Sequence, residues 1–387
     1  MAASIPWNEL RRANRKPLRV LDPMAGSGTT LVVARALGHR SIGFDTDPLA
    51  SLLAKVWCAD IDEAAVQRQA EQVIQSAERR SKRMAFRDAY PNGADEETRE
   101  FVRYWFDPTN RRQLAALATA IEGVHRTSTR DVLWCAYSRL IITKQAGASR
   151  ALDVSHSRPH RTADKNTVRP FDQFLRAVRI VLTAMPFRNT DVRRPQAIVK
   201  IADARALPLE DASIDVVISS PPYLNAIDYL RGHKFSLVWM GHAIGGIRRL
   251  RTGNIGTEAA GADAAEPSIK RVISRMGKVE QLTPHDQSLL ARYVADMDKA
   301  VGEVHRVLVR GGRAVFVVGD CTMRGVYIRN SNAVSAVGER HGLKVVRRRR
   351  RSLPPNRRYL PPPSAKHSGA MLSNRMRTEV LLELVKP

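Results

Sequence analysis

Along most of the chain, short apolar runs that end in acidic or polar residues alternate with longer stretches of helical spacing. Leu18-Arg19-Val20-Leu21 runs into Asp22-Pro23, a small-residue turn follows, and Thr29 to Leu37 has helical periodicity closed by Gly38. Ser41-Ile42-Gly43-Phe44-Asp45 repeats the strand pattern and Pro48 to Trp57 the helical one, so the opening predicts a βαβα unit. Further strands are expected at Ala197 to Ile201, followed by Asp203, and at Asp215 to Ser219, followed by Ser220-Pro221-Pro222-Tyr223. Thr283-Pro284 caps a long helix with Leu290, Val294, Met297, Val301, Val304 and Leu308 along one side, expected to stop at Gly311-Gly312 before a strand from Arg313 to Val318. Ser331 to Arg340 predicts another helix. Leu343 to Val346 predicts a strand merging into Arg347 to Arg351, and Thr378 to Val385 a last one.

Strands alternating with helices imply an α/β fold built on a mainly parallel, doubly wound sheet covered on both faces. Between residues 61 and 195 the strand pattern gives way to helical periodicity: Val66, Ala70, Val73, Ile74 and Ala77 share a face, as do Leu114, Leu117 and Ile121. This stretch reads as a large helical insertion. Within it, Ser155-His156-Ser157-Arg158-Pro159-His160-Arg161 is basic and turn-prone, a linker or a nucleic-acid contact. Gly241 to Thr283 has weak periodicity and reads as a long mobile or recognition loop. The expected organisation is a cofactor-loop segment (1–60), the insertion (61–195), a catalytic segment (196–240), a target-recognition loop (241–283) and a C-terminal part of the sheet domain (284–387).

Charge narrows the function classes. Among 387 residues, Lys and Arg exceed Asp and Glu by enough to give a formal net charge of +25, which predicts attraction to a polyanion, nucleic acid first. A basic surface that only maintains solubility, or one that meets an anionic membrane, is the plainer reading of charge alone, and composition does not separate DNA from RNA. Cys58, Cys135 and Cys321 are isolated, so neither a disulfide framework nor a CxxC metal site is expected. No apolar run is long enough to span a bilayer, and the first residues lack an apolar signal core. A soluble protein of a reducing, cytoplasmic compartment is the expectation.

In a doubly wound sheet the ligand sits beyond the carboxyl ends of the strands, where Asp22-Pro23-Met24-Ala25-Gly26-Ser27-Gly28-Thr29-Thr30 would lie. Gly26 and Gly28 let backbone approach a ligand, and the start of the next helix favours an anionic group, although such turns also occur in purely structural loops. The spacing is neither GxxxxGK[ST] nor GxGxxG, so triphosphates and dinucleotides lose ground. Asp45, at the end of the second strand, is placed to accept ribose hydroxyls or to cap the next helix; Asp203 faces the same crevice or closes a turn. Ser220-Pro221-Pro222-Tyr223 follows a strand at the same edge. Its prolines fix an extended turn in which the Ser220 hydroxyl and Pro221 carbonyl could accept from an amine and Tyr223 could stack on a base; a plain Pro-Pro turn is the alternative.

Together these two loops make the sequence resemble the amino-methyltransferase family of DNA modification enzymes, whose members pair a DPFxGSGTT-type cofactor loop with an (S/D/N)PPY catalytic loop. The resemblance covers most strands and extends to Asp45 and Asp203, to Gly311-Gly312 and to Thr378-Glu379-Val380-Leu381. It implies a Rossmann-like methyltransferase fold and S-adenosyl-L-methionine as cofactor, bound by Asp22 to Thr30 with Asp45 on the ribose and Asp203 on the adenine side. It also implies DNA as substrate, and it allows a cognate restriction endonuclease as partner. Met24 stands where the family usually has Phe, and Trp7 to Lys16 is a short version of a cofactor-side element that often precedes the first strand. Serine at the first catalytic position is more typical of enzymes acting on cytosine N4, aspartate of those acting on adenine N6. Carbon-5 methylation is excluded, because it needs a cysteine nucleophile, usually after proline, and none of the three cysteines follows one.

Phosphate contacts are expected from Arg231, His233 and Lys234 after the catalytic loop and from Arg248, Arg249 and Arg251, with a solvated charged face as the alternative. Arg347 to Arg351 is the densest basic run, either a phosphate contact or charge that protects an edge strand from aggregation.

Overall fold

The computed structural model describes residues 1–11, 16–141, 147–152, 160–161, 168–189, 192, 194–224, 229–256, 266–353 and 378–387. In chain order these form α1 (Ser4–Leu10), β1 (Arg19–Asp22), α2 (Thr29–Ala36), β2 (Arg40–Asp45), α3 (Pro48–Cys58), α4 (Glu63–Arg83), α5 (Glu96–Trp105), α6 (Pro108–Glu122), α7 (Thr127–Ile141), β3 (Ala151–Leu152), β4 (His160–Arg161) and α8 (Pro170–Ala184). They continue with β5 (Ala197–Ile201), β6 (Ile214–Ser219), α9 (Tyr229–Leu237), α10 (Ile244–Gly253), α11 (Pro267–Ser274), α12 (Pro284–Val307), β7 (Leu308–Val318), β8 (Cys321–Met323), β9 (Val326–Ile328), α13 (Asn330–Arg340), β10 (Lys344–Ser352) and β11 (Thr378–Val385). The chain divides into a sheet unit, Met1–Thr46, Arg194–Ala226 and Thr252–Pro387, and a helical unit, Asp47–Arg193 and Ile227–Arg251.

The sheet unit carries seven strands in the order β10-β11-β7-β6-β1-β2-β5. Neighbours pair in parallel except at β11, which is antiparallel to both β7 and β10. This is a Rossmann-like α/β sheet. From β1 the chain steps outward through β2 to β5, returns to β6 on the other side of β1, and steps outward again, so the order reverses between β1 and β6. In an open sheet, ligands bind outside the carboxyl ends of the strands at such a reversal.

Period-two alternation divides each strand between the two faces. Val20, Val216, Ile218 and Val315 pack with Leu10 of α1 and with Val33 and Ala34 of α2. Leu21, Val217, Ala314, Phe316 and Val318 belong to a separate core with Val294, Met297 and Val301 of α12 and Val334 and Val337 of α13. Both faces are thus covered by helices.

The helical unit has its own core, in which Leu114, Leu117 and Ile121 of α6 meet Leu133 and Tyr137 of α7 and Phe174 and Val178 of α8. Its helices start on side-chain caps: Asp62, Asp95 and Asp107 each accept from a backbone N–H in the first turn of α4, α5 and α6. Such a cap satisfies a donor that the helix itself leaves unpaired.

Three expectations need correction. Gly241 to Thr283 is not one long loop: α10 and α11 occupy much of it, α10 burying Ile247 and α11 burying Ile269 and Val272. Residues 257–265 lie outside the described residues. The long helix α12 ends at Val307 rather than at the glycine pair, which instead forms an irregularity inside β7. Gly311 takes φ +74 and its N–H donates to the Lys386 carbonyl at 2.8 Å, so the pair serves a bulge, where a left-handed residue fits. Finally, α3 and α9 fall in the helical unit rather than with the cofactor and catalytic segments. Ser155 to Pro159 lie outside the described residues, and His160-Arg161 pairs with Ala151-Leu152 as a short antiparallel ribbon. Among the described residues no helix is long and apolar enough to cross a membrane.

Candidate active site

Strand β1 delivers Asp22 to the reversal point with its carboxyl group removed from water, at 2% exposure. Its Oδ1 accepts the Ser219 hydroxyl at 2.7 Å and the Met24 N–H at 3.2 Å. Burial pushes the Asp22 carboxyl up to about 6; hydrogen bonds from Ser219 and the Met24 N–H pull against that, and the charge of Asp45 adds to it. Thr30 donates its hydroxyl to the Ile218 carbonyl at 3.1 Å, tying the first turn of α2 to β6.

The loop between Asp22 and Thr30 depends on two glycines in the left-handed region, Gly26 at φ +52 and Gly28 at φ +81, the latter immediately before α2. It is fastened to the end of β2 by the Ala25 N–H on the Phe44 carbonyl and the Gly26 N–H on Asp45 Oδ2, both at 2.8 Å. A Cβ added to Gly26 would meet no atom within 4 Å, so the loop's glycine edge opens on free space. Asp45 is partly exposed beside it. The chain thus presents an open backbone cradle, a helix start and a strand-end carboxylate together, a donor and acceptor set that fits a ligand with a ribose and an amino-acid-like carboxylate.

Asp203 follows β5 and takes the turn geometry. Its Oδ1 accepts the Arg205 N–H at 2.9 Å, and the Arg205 guanidinium grips both carboxylate oxygens, the shortest contact being 2.6 Å. Burial works to raise the Asp203 carboxyl, but the hydrogen bonds and charge of Arg205 outweigh it and hold it below the ordinary value. Arg205 also reaches Asp296 Oδ1 of α12 at 2.6 Å.

The second loop leaves β6 beside the first. The Ser220 hydroxyl donates to the Val317 carbonyl of β7 at 3.2 Å, and the Tyr223 hydroxyl oxygen lies 3.5 Å away. A hydroxyl has one hydrogen and two lone pairs, so a Ser220 committed to a carbonyl offers acceptors outward. Pro221 is buried, and Pro222 and Tyr223 are partly exposed. Tyr293 of α12 is fully buried within electrostatic reach of Tyr223, and burial pushes its phenol well up, with Cys321, Tyr223 and Asp320 adding.

Over 250 residues the chain is 23% identical to the type II methyltransferase M.BsoBI of Geobacillus stearothermophilus, an alignment covering 60% of the chain and 49% of that protein. This chain resembles a type II methyltransferase. It spans about half the length of the curated relative it matches. No protein-family model matches the sequence. Among solved structures, TTHA0409 of Thermus thermophilus, a candidate DNA modification methylase complexed with S-adenosyl-L-methionine, is 18% identical over 48% of this chain and 54% of its own, with a TM-score of 0.25. A TehB-like SAM-dependent methyltransferase of Corynebacterium glutamicum is 8% identical, covering 100% of this chain and 89% of its own, with a TM-score of 0.32. The fold class rests on the strand order and not on these superpositions.

The structure brings Asp22, the Pro23 to Thr30 loop, Asp45, Asp203 and Ser220 to Tyr223 into the sheet unit, all at or just past the carboxyl ends of β1, β2, β5 and β6. The basic residues expected at phosphates lie in the helical unit. Arg231 and Lys234 are partly exposed on α9, with the Lys234 ammonium 5.3 Å from the Phe101 ring centre; Arg248, Arg249 and Arg251 are exposed on α10, and Arg248 is paired with Glu97. His233 is held by Asp47, Nδ1 to Oδ2 at 2.5 Å. The arginine run divides by strand alternation: Arg347 pairs with Glu9 and Glu383 at 2.8 Å each and Arg351 with Glu379 at 2.7 Å, while Arg348 reaches the Asn332 side chain at 2.6 Å. The phosphate reading therefore fails for Arg347 and Arg351, whose charges are matched inside the sheet unit.

Sequence reading passed over Ser219, whose only signal is its place just before Ser220-Pro221-Pro222-Tyr223. It also passed over Asp320, a further acid at a strand end, two residues past β7 as Asp203 is past β5. Asp320 is buried after β7 and accepts the Ser331 N–H at 2.9 Å and the Ser331 hydroxyl at 3.2 Å. The strand-then-Asp pattern that marks Asp22 and Asp45 is present there as well.

Proposed function

We propose that the sheet unit binds S-adenosylmethionine along Asp22 to Thr30 and transfers its methyl group to an exocyclic amino nitrogen of DNA, N4 of cytosine, held by Ser220, Pro221, Pro222 and Tyr223. The observation that carries this reading is the Ser219–Asp22 hydrogen bond of 2.7 Å, which joins the cofactor loop to the residue before the catalytic serine. Asp45 would take the ribose hydroxyls, and Asp203 would lie on the adenine side. The cofactor supplies an electrophilic methyl carbon on a sulfonium.

An exocyclic amine is a weak nucleophile because its lone pair is delocalised into the ring. Ser220 Oγ, its hydrogen committed to Val317, and the Pro221 carbonyl accept the amino hydrogens, so the lone pair turns out of the ring plane. Tyr223 stacks on the extruded base, and the two prolines keep the acceptors fixed before the base arrives. With the cofactor bound, the amine held by Ser220 and Pro221 would be the methyl acceptor and would release one amino proton to solvent. The net charge of +25 suits a polyanion, with Arg231, Lys234, Arg248, Arg249 and Arg251 as phosphate contacts; Arg248 would exchange its Glu97 partner for phosphate.

The test is mass spectrometry of nucleosides from methylation-free DNA, with RNA in parallel, incubated with the protein and isotope-labelled S-adenosylmethionine. Labelled N4-methylcytosine that disappears with Ser220→Ala supports the reading. Labelled N6-methyladenine keeps the site and changes the base. Label in RNA alone overturns the DNA substrate, and no label in either polymer overturns methyl transfer in favour of a protein that only binds nucleic acid.

A further inference from the structure

Past the end of β7, whose Val317 carbonyl holds Ser220, the chain forms the β8–β9 hairpin. Its Tyr327 is 45% exposed, and its hydroxyl donates to Asp320 Oδ2 at 3.4 Å. The Arg329 guanidinium lies over the ring, 5.6 Å from its centre, and the charge of Arg350 on the edge strand β10 also acts on the phenol. Arg329 and Arg350 are exposed, and among the described residues neither has a carboxylate partner. They differ in this from Arg347 and Arg351. The hairpin is braced from behind: the Arg329 N–H donates to the Met276 carbonyl at 2.8 Å, and Asp320 is fixed by Ser331. Buried Tyr293 feels the charges of Tyr223, Cys321 and Asp320, and the hairpin starts at Cys321, just past the β7 end that holds Ser220, so hairpin and catalytic loop are close in one unit.

We infer that Tyr327, Arg329 and Arg350 form a nucleic-acid contact beside the catalytic loop, in which the arginines take backbone phosphates and the tyrosine ring stacks on an unpaired base. The inference rests on the reading of the site as one that acts on an extruded DNA base. Exposed aromatic rings flanked by unpaired cations suit this partner, because every base offers a stacking face and every phosphate a charge. The anchored hydroxyl orders the ring in advance and lowers the entropy cost of stacking. Preference for an unpaired base would help retain DNA opened at the target.

The experiment uses the full chain and fluorescence anisotropy with two probes, a random-sequence duplex and a single-stranded oligonucleotide of the same length, across a salt series. Arg329→Ala and Arg350→Ala are each expected to weaken both complexes and to flatten the salt slope by about one. Tyr327→Ala is expected to weaken single-strand binding by about tenfold or more and duplex binding less, with Tyr327→Phe restoring most of the loss. Unchanged salt slopes and unchanged single-strand affinity in variants that fold, while the wild-type chain binds and methylates DNA, overturn this contact and leave the proposed function standing. A wild-type chain that methylates neither polymer overturns the proposed function instead, whatever the hairpin binds.

Discussion

The Ser219 hydroxyl donates to Asp22 Oδ1 at 2.7 Å across the point where the strand order reverses, joining the last residue of β6 to the last residue of β1. Both groups are buried, so losing the donor leaves a carboxyl group with less compensation for its lost water. Ser219→Ala is expected to destabilise the fold by about 1–3 kcal/mol, whereas Ser220→Ala, at a partly exposed position, should cost less stability and remove methyl transfer. Urea denaturation of both variants beside a methylation assay checks this. The reverse order of stability losses would mean that Ser219 is not the joint between the two loops.

Asp22 also sets a pH dependence. An unfolded Asp ionises near about 3.9, while burial holds the folded group protonated up to about 6. The folded chain therefore binds the extra proton between these values, so the stability contributed by Asp22 is fully present below about pH 4 and is lost as pH rises through about 6. Asp22→Asn cannot ionise, and its stability relative to wild type should climb over that window by about 2–3 kcal/mol. Thermal melts of both proteins across the window read the difference; a gap that stays flat with pH would show that Asp22 is ionised in the folded chain throughout.

How much of this was legible from sequence depended on the range of the interaction. The β1 turn and α2 follow from local signals, because Gly26 and Gly28 sit between a strand run and a helical run and adopt the left-handed backbone that glycine permits. Thr283 caps α12 as its sequence predicts, accepting the Asp286 N–H. The Ser219–Asp22 bond was not legible, since it depends on β6 lying next to β1, a fact of strand order. The same holds for Arg347, which reads as surface charge until α1 brings Glu9 to it. The two short helices between Gly241 and Thr283 were missed because short helices are marginal by local propensity and form here by burying one or two apolar residues each, Ile247 on α10 and Ile269 and Val272 on α11.

Gly43 of β2 faces the loop that runs from Asp22 to Thr30. A Cβ there would sit 2.5 Å from Leu31 Cδ1 and 3.0 Å from Ala25 Cβ, and Leu31 is fully buried. Gly43→Ala is expected to cost about 1–3 kcal/mol through overpacking and to weaken S-adenosylmethionine binding by displacing Ala25. Denaturation and calorimetric titration measure the two effects. Full stability with unchanged affinity would show that the loop tolerates displacement at Ala25.

Tyr293 buries a phenol hydroxyl that has no hydrogen-bond partner among the described residues. Removing an unsatisfied polar group from the interior is neutral or favourable, so Tyr293→Phe should leave stability unchanged or raise it by about 1 kcal/mol. A loss of more than that in urea denaturation would assign the hydroxyl a partner.

The last expectation concerns the charges on the α1 face of the sheet. Glu9, 4% exposed, receives Arg313 at 2.9 Å and Arg347 at 2.8 Å, and the Arg313 guanidinium also donates to the Glu9 carbonyl at 2.6 Å. Breaking a fully buried pair costs about 3–5 kcal/mol. Here Glu383 keeps both arginines, at 3.3 Å and 2.8 Å, and the Arg347 side chain is 33% exposed, so water can take up part of the released charge. Glu9→Ala should therefore cost about 2 kcal/mol, and Glu9→Gln less, because an amide oxygen still accepts. In a double-mutant cycle with Arg347→Ala the two losses should fall short of additivity by about 1 kcal/mol, as expected for residues in direct contact. Additive losses would mean that Glu9 stabilises α1 through Arg313 alone, and a cost below about 0.5 kcal/mol would place the whole cluster with ordinary solvated surface charge.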